Sequence, residues 1–211
     1  QVGVGVGSLA LKQAADQLGF QQKTGIEIGW EESVGLVGDE PWADRGRGWS
    51  EPGTVPWIPE DMASASIGQS VVQITPLQLA RAYAVFANGG WLVTPHLAAG
   101  DIDWLSSEHR TKVAIQPSTL QTIREGLRKV VEAGTGAGLN GPGIPPAAGK
   151  TGTAEDSTGG PDHAWFGCYA PYPDAKIVVV AFAQNTPGGG SVHALPMAKK
   201  VLAEWERTRQ R

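Results

Sequence analysis

The chain has 211 residues, 41% of them hydrophobic, which is enough for one ordinary domain with a sizeable core. Its net charge of -4 argues against a binding surface for nucleic acid or anionic membranes. The single cysteine, Cys168, excludes an internal disulfide, and its apolar neighbours predict a buried structural thiol and not a reactive one. No apolar run approaches the roughly 18 residues of a membrane-spanning helix.

A short helix and a long irregular segment are predicted at the start of the chain. Ser8 is placed to cap a helix that runs through Leu18, with Gly19 as its terminator. Residues 20–62 show no strong periodicity. Four tryptophans of this segment are expected to pack it, although stacking on glycan is an alternative: Trp30, Trp42, Trp49 and Trp57.

A second helix is predicted to begin at Thr75. Thr75 is the expected N-cap, Pro76 takes the first helical position, and Gln78 completes a capping box. One face carries an apolar stripe, which consists of Leu77, Ala80, Tyr83, Ala84 and Ala87. Asn88-Gly89-Gly90 then ends the helix.

A third helix is predicted over 117–133, beginning with Pro117. Its apolar side carries Leu120, Ile123, Leu127, Val130 and Val131, and its polar side carries Arg124, Glu125, Arg128 and Lys129. The period then changes to that of strands, which are predicted at Ala148–Glu155, Ala164–Ala170 and Ile177–Ala183.

The two connections between these strands are short enough for antiparallel hairpins. Ile177–Val180 is continuously apolar, which predicts a strand buried on both faces. A last helix over about 194–208 is expected to cover the sheet with Leu195, Ala198, Val201, Leu202 and Trp205.

Gly149–Glu155 combines a lysine, two threonine hydroxyls and two glycines on the first of these strands. Glycine lets a ligand backbone lie close against a strand, and the ammonium and hydroxyl groups suit a carboxylate. A Lys-Thr-Gly triplet alone is a weak signal, because a solvated lysine and ordinary strand threonines would give the same letters. Its sequence neighbours therefore decide how it is interpreted.

Six further segments resemble, in order, successive landmarks of one family. They are Thr24–Glu27, Ala65–Ser70, Thr75–Ala80, Ala87–Gly90, His163–Phe166 and Tyr169–Pro171. Together with Lys-Thr-Gly, which active-site serine penicillin-recognising enzymes carry as their third motif, they look like a class B penicillin-binding protein. The resemblance covers nearly the whole chain and is strongest to the cell-elongation transpeptidase, the penicillin-binding protein 2 type.

The resemblance implies a role for each residue of the triplet and for its neighbour. Lys150 would help to move a proton and would hold the carboxylate side of the substrate. Thr151 and Thr153 would offer hydroxyls to the terminal carboxylate of a peptide or a β-lactam. The Thr153 N–H would supply half of an oxyanion hole, and Gly152 would leave room for the ligand to pair with the strand.

Two catalytic motifs of that family are absent from the sequence. The family attacks its substrate with the serine of a Ser-x-x-Lys motif and also uses Ser-x-Asn, and no serine here fits either pattern. Ser8 and Lys12 are one residue too far apart. We therefore expect residues 1–211 to be the C-terminal portion of one transpeptidase domain that starts after both motifs. The missing N-terminal part of the same protein would then supply the nucleophile. It would also be a binding partner of this chain.

The implied fold is α/β: the penicillin-binding transpeptidase fold, which is serine β-lactamase-like, with an antiparallel sheet flanked by helices. Only part of it is expected here, namely the last three of five strands. The implied activity is peptidoglycan D,D-transpeptidation of stem peptides through a serine acyl-enzyme, which β-lactam antibiotics also form. The chain alone is expected to be inactive, and no metal or organic cofactor is implied. The parent is expected in the periplasm, anchored to the inner membrane by an N-terminal segment outside this chain.

Two other functions stay open at this point. Absence of both serine motifs favours a non-catalytic binding module of cell-wall synthesis for the isolated chain. The second open function is that of a serine β-lactamase or β-lactam sensor, although Thr75–Ala80 and Ala87–Gly90 favour a transpeptidase. Gly134–Gly138 is a poor phosphate loop, because it follows a helix and lacks the Gly-Lys-Ser/Thr ending. His163 is expected to orient the next strand, and the loop Asp156–Asp162 either overhangs the cleft or is simply solvated.

Overall fold

The fold is described from a computed structural model. It describes residues 2–28, 31–37, 59–70, 72–98, 103, 106, 108–156 and 159–210. Several side chains discussed above lie outside these ranges, and the expectations about them stay predictions: Trp30, Trp42, Trp49, Trp57, Ser157 and Thr158.

The N-terminal part contains three short helices. Helices α1 (Val2–Val6) and α2 (Ser8–Gln17) follow each other directly, and α3 (Pro59–Ala65) lies against α1. The prediction that Ser8 caps α2 is wrong, because Ser8 is the first helical residue and Gly7 precedes it with φ of 83°. Glycine adopts this left-handed conformation without steric cost, so the turn between the two helices falls on Gly7.

Two small antiparallel ribbons were not predicted. In the first, β1 (Leu36–Val37) pairs with β2 (Val72–Gln73). In the second, β3 (Trp91–Val93) pairs with β4 (Arg110–Lys112). Strands of two or three residues are too short to show a period of two in the sequence.

Helix α4 (Pro76–Ala87) begins as predicted. The Gln78 N–H donates to Thr75 Oγ1 at 3.1 Å, and the Thr75 N–H donates to Gln78 Oε1 at 2.9 Å. The predicted apolar stripe is only half-buried, and the buried residues lie beside it: Gln78, Arg81, Ala82 and Val85. The difference arises because α4 packs between β3 and the central sheet, so that neighbours cover it on two sides.

Helix α5 (Pro117–Ala133) has the predicted bounds, and a 3₁₀ turn (Ala137–Leu139) follows it. The central sheet has the order β5-β6-β7 and is antiparallel throughout, as predicted. Its strands are β5 (Ala148–Ala154), β6 (His163–Ala170) and β7 (Ile177–Ala183), each within a residue of its predicted start and end.

Helices α6 (Gly189–Val192) and α7 (Ala194–Arg209) complete the described chain. One face of the sheet packs on α4, and α5, α6 and α7 cover the other face. The core lies between that second face and its helices and includes Val131, Leu139, Phe166, Cys168, Leu195, Ala198 and Leu202. Among the described residues, no helix combines the length and the apolar character that crossing a bilayer needs.

Two predictions about this half of the chain are corrected. The strand expected to be buried on both faces is only half-buried, apart from Val179 and Ala181. This follows from its position, because β7 lies at an edge of the sheet that the described residues form. Val201 of α7 is 47% exposed, since the buried stripe of the helix runs through Leu195, Ala198 and Leu202 and leaves Val201 to one side.

Candidate active site

The predicted site residues Lys150–Thr153 lie on β5, which has β6 on one side and no described strand on the other. Lys150 lies opposite Gly167 of β6, and directly paired residues share one face of a sheet. Tyr83 of α4 packs over that glycine, since a Cβ at Gly167 would come within 2.5 Å of the Tyr83 ring. Lys150 itself is exposed, and its side chain leaves the sheet on the α4 side.

The free edge of β5 presents backbone groups of alternate residues. The N–H and C=O of one residue point to the same side of a strand, so those of Thr151, Thr153 and Glu155 point away from β6. Lys150 Nζ donates to the Thr151 C=O at 2.7 Å and lies 3.5 Å from Thr151 Oγ1. The lysine therefore curls over the strand edge and covers one of its acceptors.

The two threonine side chains lie on the face opposite Lys150, because successive strand residues point to opposite faces. The hydroxyl of Thr151 is 2.7 Å from that of Thr135, in the loop after α5. The hydroxyl of Thr153 lies against α6, where a Cβ at Gly189 would collide with it. The structure thus places the four predicted residues on one strand. The lysine and threonine side chains leave from opposite faces, but Lys150 Nζ reaches to within 3.5 Å of Thr151 Oγ1.

Gly152 is half-buried, and neighbouring residues pack closely against it. A Cβ on Gly152 would lie 3.2 Å from the Cβ of Trp165, its neighbour on β6. On the other face α6 approaches so closely that a Cβ on Gly190 would lie 2.5 Å from the Gly152 C=O oxygen. Close packing of its own neighbours therefore already favours glycine here, beside any need for space at a ligand.

A cavity of about 590 Å³ opens beside the end of β5. Gly152 and Thr153 line it, whereas Lys150 and Thr151 are not part of its wall. Trp165 and Phe182 form an aromatic side of the cavity, with ring centroids 4.3 Å apart. The cavity therefore joins the C-terminal half of the strand edge to an apolar surface.

Sequence reasoning missed Gln69, which lies in the loop after α3. Gln69 Nε2 donates to the Thr153 C=O at 3.0 Å, and the Glu155 N–H donates to Gln69 Oε1 at 3.1 Å. The landmark Ala65–Ser70 contained this glutamine, but a contact across 84 residues of sequence has no local signal. Its position makes Gln69 part of the candidate site.

The buried thiol and phenol groups are separate from this edge. Burial raises the pKa of the Cys168 thiol to about 12, which keeps it protonated and unreactive near neutral pH, as its sequence context predicted. Burial also raises the pKa of Tyr169 to about 12. His163 begins β6, and its Nδ1 accepts from the Asn185 N–H at 3.2 Å, which agrees with an orienting role.

An edge strand with Lys-Thr-Gly-Thr, packed between helical layers, is typical of one class of protein. Residues 2–203 match the family model of the penicillin binding protein transpeptidase domain. The chain therefore belongs to this family. Its relatives further show that it is of the PBP2 or MrdA type of class B penicillin-binding proteins.

Two curated relatives illustrate the similarity. Peptidoglycan D,D-transpeptidase MrdA of Haemophilus influenzae is 32% identical, and the match covers 96% of this chain and 33% of that protein. MrdA of Acinetobacter baumannii is 31% identical, and the match covers 95% of this chain and 31% of that protein. The chain thus spans about a third of the length of these relatives.

Solved structures share the fold. PBP2 of Pseudomonas aeruginosa, in complex with WCK 5153, superposes with a TM-score of 0.79 at 28% identity, over 96% of this chain and 45% of that one. PBP2 of Helicobacter pylori, in complex with MreC, gives a TM-score of 0.76 at 27% identity, over 97% and 37% of the two chains. The predicted fold class, the penicillin-binding transpeptidase fold, is confirmed.

Proposed function

We propose that this chain forms the Lys-Thr-Gly half of a peptidoglycan D,D-transpeptidase domain, and that the complete protein cross-links stem peptides in the periplasm. The observation that carries the proposal is the open edge of β5. Lys150 and the outward backbone groups of Thr151 and Thr153 lie there together, beside a cavity, in a chain of this family.

The proposed reaction has two steps. A serine Oγ attacks the carbonyl carbon of the D-Ala-D-Ala peptide bond, the C–N bond breaks, and the terminal D-Ala leaves with the serine proton on its amine. An amine of a neighbouring stem peptide then attacks the resulting ester. The new amide forms, one amine proton returns to the serine oxygen, and the free serine is restored. A β-lactam would undergo the first step and remain on the serine.

Each site residue has a role in this scheme. The Lys150 ammonium, exposed at the strand edge, would attract the ligand carboxylate and assist the proton transfer. The Thr153 N–H would donate to the oxyanion, together with the N–H of the serine. The hydroxyls of Thr151 and Thr153 would bind the terminal carboxylate, for which Thr151 Oγ1 would exchange its contact with Thr135. Gly152 would let the ligand backbone approach β5.

The serine itself is proposed to come from a preceding part of the same protein. No serine of the 211 residues fits Ser-x-x-Lys, so a nucleophile of this type has to lie outside them. In this proposal residues 1–211 are the C-terminal portion of the transpeptidase domain and need that other part to react with a stem peptide or a β-lactam. An N-terminal anchor would hold the protein at the inner membrane.

Acylation of the complete parent protein by a fluorescent penicillin tests these roles. We expect Lys150→Ala to lower the second-order rate constant by about 10²–10³-fold, the usual loss for a positioned electrostatic group. Lys200→Ala provides the matched control, since Lys200 is an exposed lysine of α7. Near-normal labelling of the Lys150 variant would remove this residue from the site, and an unlabelled wild-type parent would refute the proposed function.

A further inference from the structure

The side-chain amide of Gln69 makes hydrogen bonds to the backbone of β5 that a neighbouring strand would otherwise make. Its carboxamide donates to the Thr153 C=O and accepts from the Glu155 N–H, at 3.0 Å and 3.1 Å. Both groups belong to the outer edge of β5, where a further strand would form its ladder. One planar amide thus satisfies two backbone groups that an extended peptide ligand would otherwise use.

The loop that carries Gln69 is shaped for this contact. Gly68 has φ of 79° and Ser70 has φ of 57°, so the residue on each side of the glutamine has a left-handed backbone conformation. Such a conformation is uncommon for serine. Ile67 in the same loop is 76% exposed, whereas Gln69 is half-buried between the loop and the strand. The loop therefore directs Gln69 at β5.

These two hydrogen bonds are replaceable. Both lie at the solvent-exposed side of the strand, and Gln69 is part of the cavity wall together with Thr153 and Glu155. An extended ligand offers an N–H donor for the Thr153 C=O, and a longer peptide also offers a C=O acceptor from another of its peptide groups. Displacement of Gln69 needs only a side-chain rotation, and the solvent-exposed Glu155 N–H can then bond to water or to a longer ligand.

We propose that Gln69 is a specificity-determining residue that competes with the ligand for the edge of β5. It covers Thr153 and Glu155 until a ligand brings a peptide N–H to the same position. Ligands with an amide beyond the reactive bond, such as extended peptides and acylamino β-lactams, must displace Gln69. Ligands without that amide react without displacing it. This inference deepens the proposed function and rests on it.

The test compares two β-lactams on the complete parent protein. Benzylpenicillin carries an acylamino group that can donate to the Thr153 C=O, and penicillanic acid, which has no substituent at C6, has no donor at this position. Removal of the competing side chain in Gln69→Ala should raise the acylation rate constant for benzylpenicillin by about 3–10-fold, the equivalent of one exposed hydrogen bond. The rate constant for penicillanic acid should stay within about twofold. Gln69→Asn, whose shorter side chain cannot span both groups, should behave like the alanine variant.

The ratio of the two rate constants separates this role from a structural one. Partial unfolding would slow both ligands together and leave the ratio unchanged. Gln121→Ala, on the exposed face of α5, is the matched control and should change neither rate constant. Faster hydrogen exchange of the Glu155 amide in Gln69→Ala would give independent support, since its acceptor is removed.

The possible outcomes are distinct. A ratio that rises in both Gln69 variants supports the inference. An unchanged ratio, or a lower rate constant for benzylpenicillin alone, overturns it, because Gln69 would then be neutral or would hold the ligand in place. If neither β-lactam acylates the wild-type parent, the proposed function fails, and the inference fails with it.

Discussion

Gly190 of α6 offers a sharp test of how the helix supports the candidate site. A Cβ on Gly190 would lie 2.5 Å from the Gly152 oxygen and 2.9 Å from the Gly152 nitrogen, and it would also overlap the Trp165 oxygen. Ordinary carbon–oxygen contacts are no shorter than about 3.3 Å. All three atoms belong to the backbone of β5 or β6, so rotation of a side chain cannot relieve the overlap.

The expected cost of Gly190→Ala follows from this geometry. Overpacking of a well-packed interior costs about 1–3 kcal/mol, and the rigid backbone partners place this variant at the upper end, about 3 kcal/mol. For a chain of this size, each kcal/mol lowers Tm by about 2–4 °C, so we expect a fall of about 6–12 °C. Displacement of Gly152 should also slow acylation of the complete parent.

Gly126→Ala is the matched control for this experiment. Gly126 lies inside α5, is exposed, and has no atom within 4 Å of a Cβ built on it. Alanine should therefore stabilise the helix, by about 0.5–1 kcal/mol. Thermal unfolding followed by circular dichroism compares the two variants. Equal Tm values for Gly190→Ala and Gly126→Ala would refute the claim that α6 rests directly on the Lys-Thr-Gly strand.

Two further predictions concern buried groups. Gln78 is fully buried and donates to the carbonyls of Gln22 and Val34, so Gln78→Leu should cost about 3 kcal/mol in urea unfolding, whereas Gln121→Leu on the exposed face of α5 should change stability little. A smaller loss than about 1 kcal/mol for Gln78→Leu would contradict the assignment of these bonds. Because burial raises the pKa of Cys168 from 9.0 to about 12, the folded state retains a proton that the unfolded state loses. This stabilisation is present below about pH 9 and is lost as the pH rises toward 12, so Cys168→Ala should flatten the decline of stability at alkaline pH. An identical pH profile in both proteins would refute this reasoning.

The elements with local signals were predictable from the sequence. The capping box of Thr75 and Gln78 fixes the start of α4, because the paired side-chain and backbone bonds span only three residues. Pro117 marks the first residue of α5 for the same kind of local reason. The strands of the central sheet were likewise predictable, since the loss of the helical period after α5 and the short connections between the strands are properties of contiguous residues.

The missed features depend on contacts between distant segments. Hydrophobic periodicity cannot predict that Gln78 and Arg81 are buried, because their partners are backbone carbonyls of other segments. Arg81 Nε donates to the Val93 C=O at 2.8 Å, and Gln78 reaches two carbonyls at least 44 residues away. Gln69 at the candidate site likewise bonds to backbone groups of a distant segment, those of Thr153 and Glu155. Chemistry-bearing residues within one strand are visible in the sequence, whereas those that another segment contributes are not.

The positions of Lys150 and the threonines were predicted only in part. The sequence motif indicated one strand, and the structure places all four residues on β5. That a ligand binds at this strand stays a prediction. The motif did not indicate that Thr151 is engaged by Thr135 or that Thr153 lies against Gly189. One contact comes from the loop after α5, which precedes β5 in the chain. The other comes from α6, which follows the sheet in the chain.

Intact-mass spectrometry after incubation with benzylpenicillin tests the central claim most directly. We expect the complete parent to gain the mass of one β-lactam on a serine outside residues 1–211, and the chain of residues 1–211 alone to gain none. An adduct mapped to a serine within these residues would contradict the proposed division of the site between two parts of one protein. Absence of any adduct on the complete parent would contradict the assignment as a serine D,D-transpeptidase.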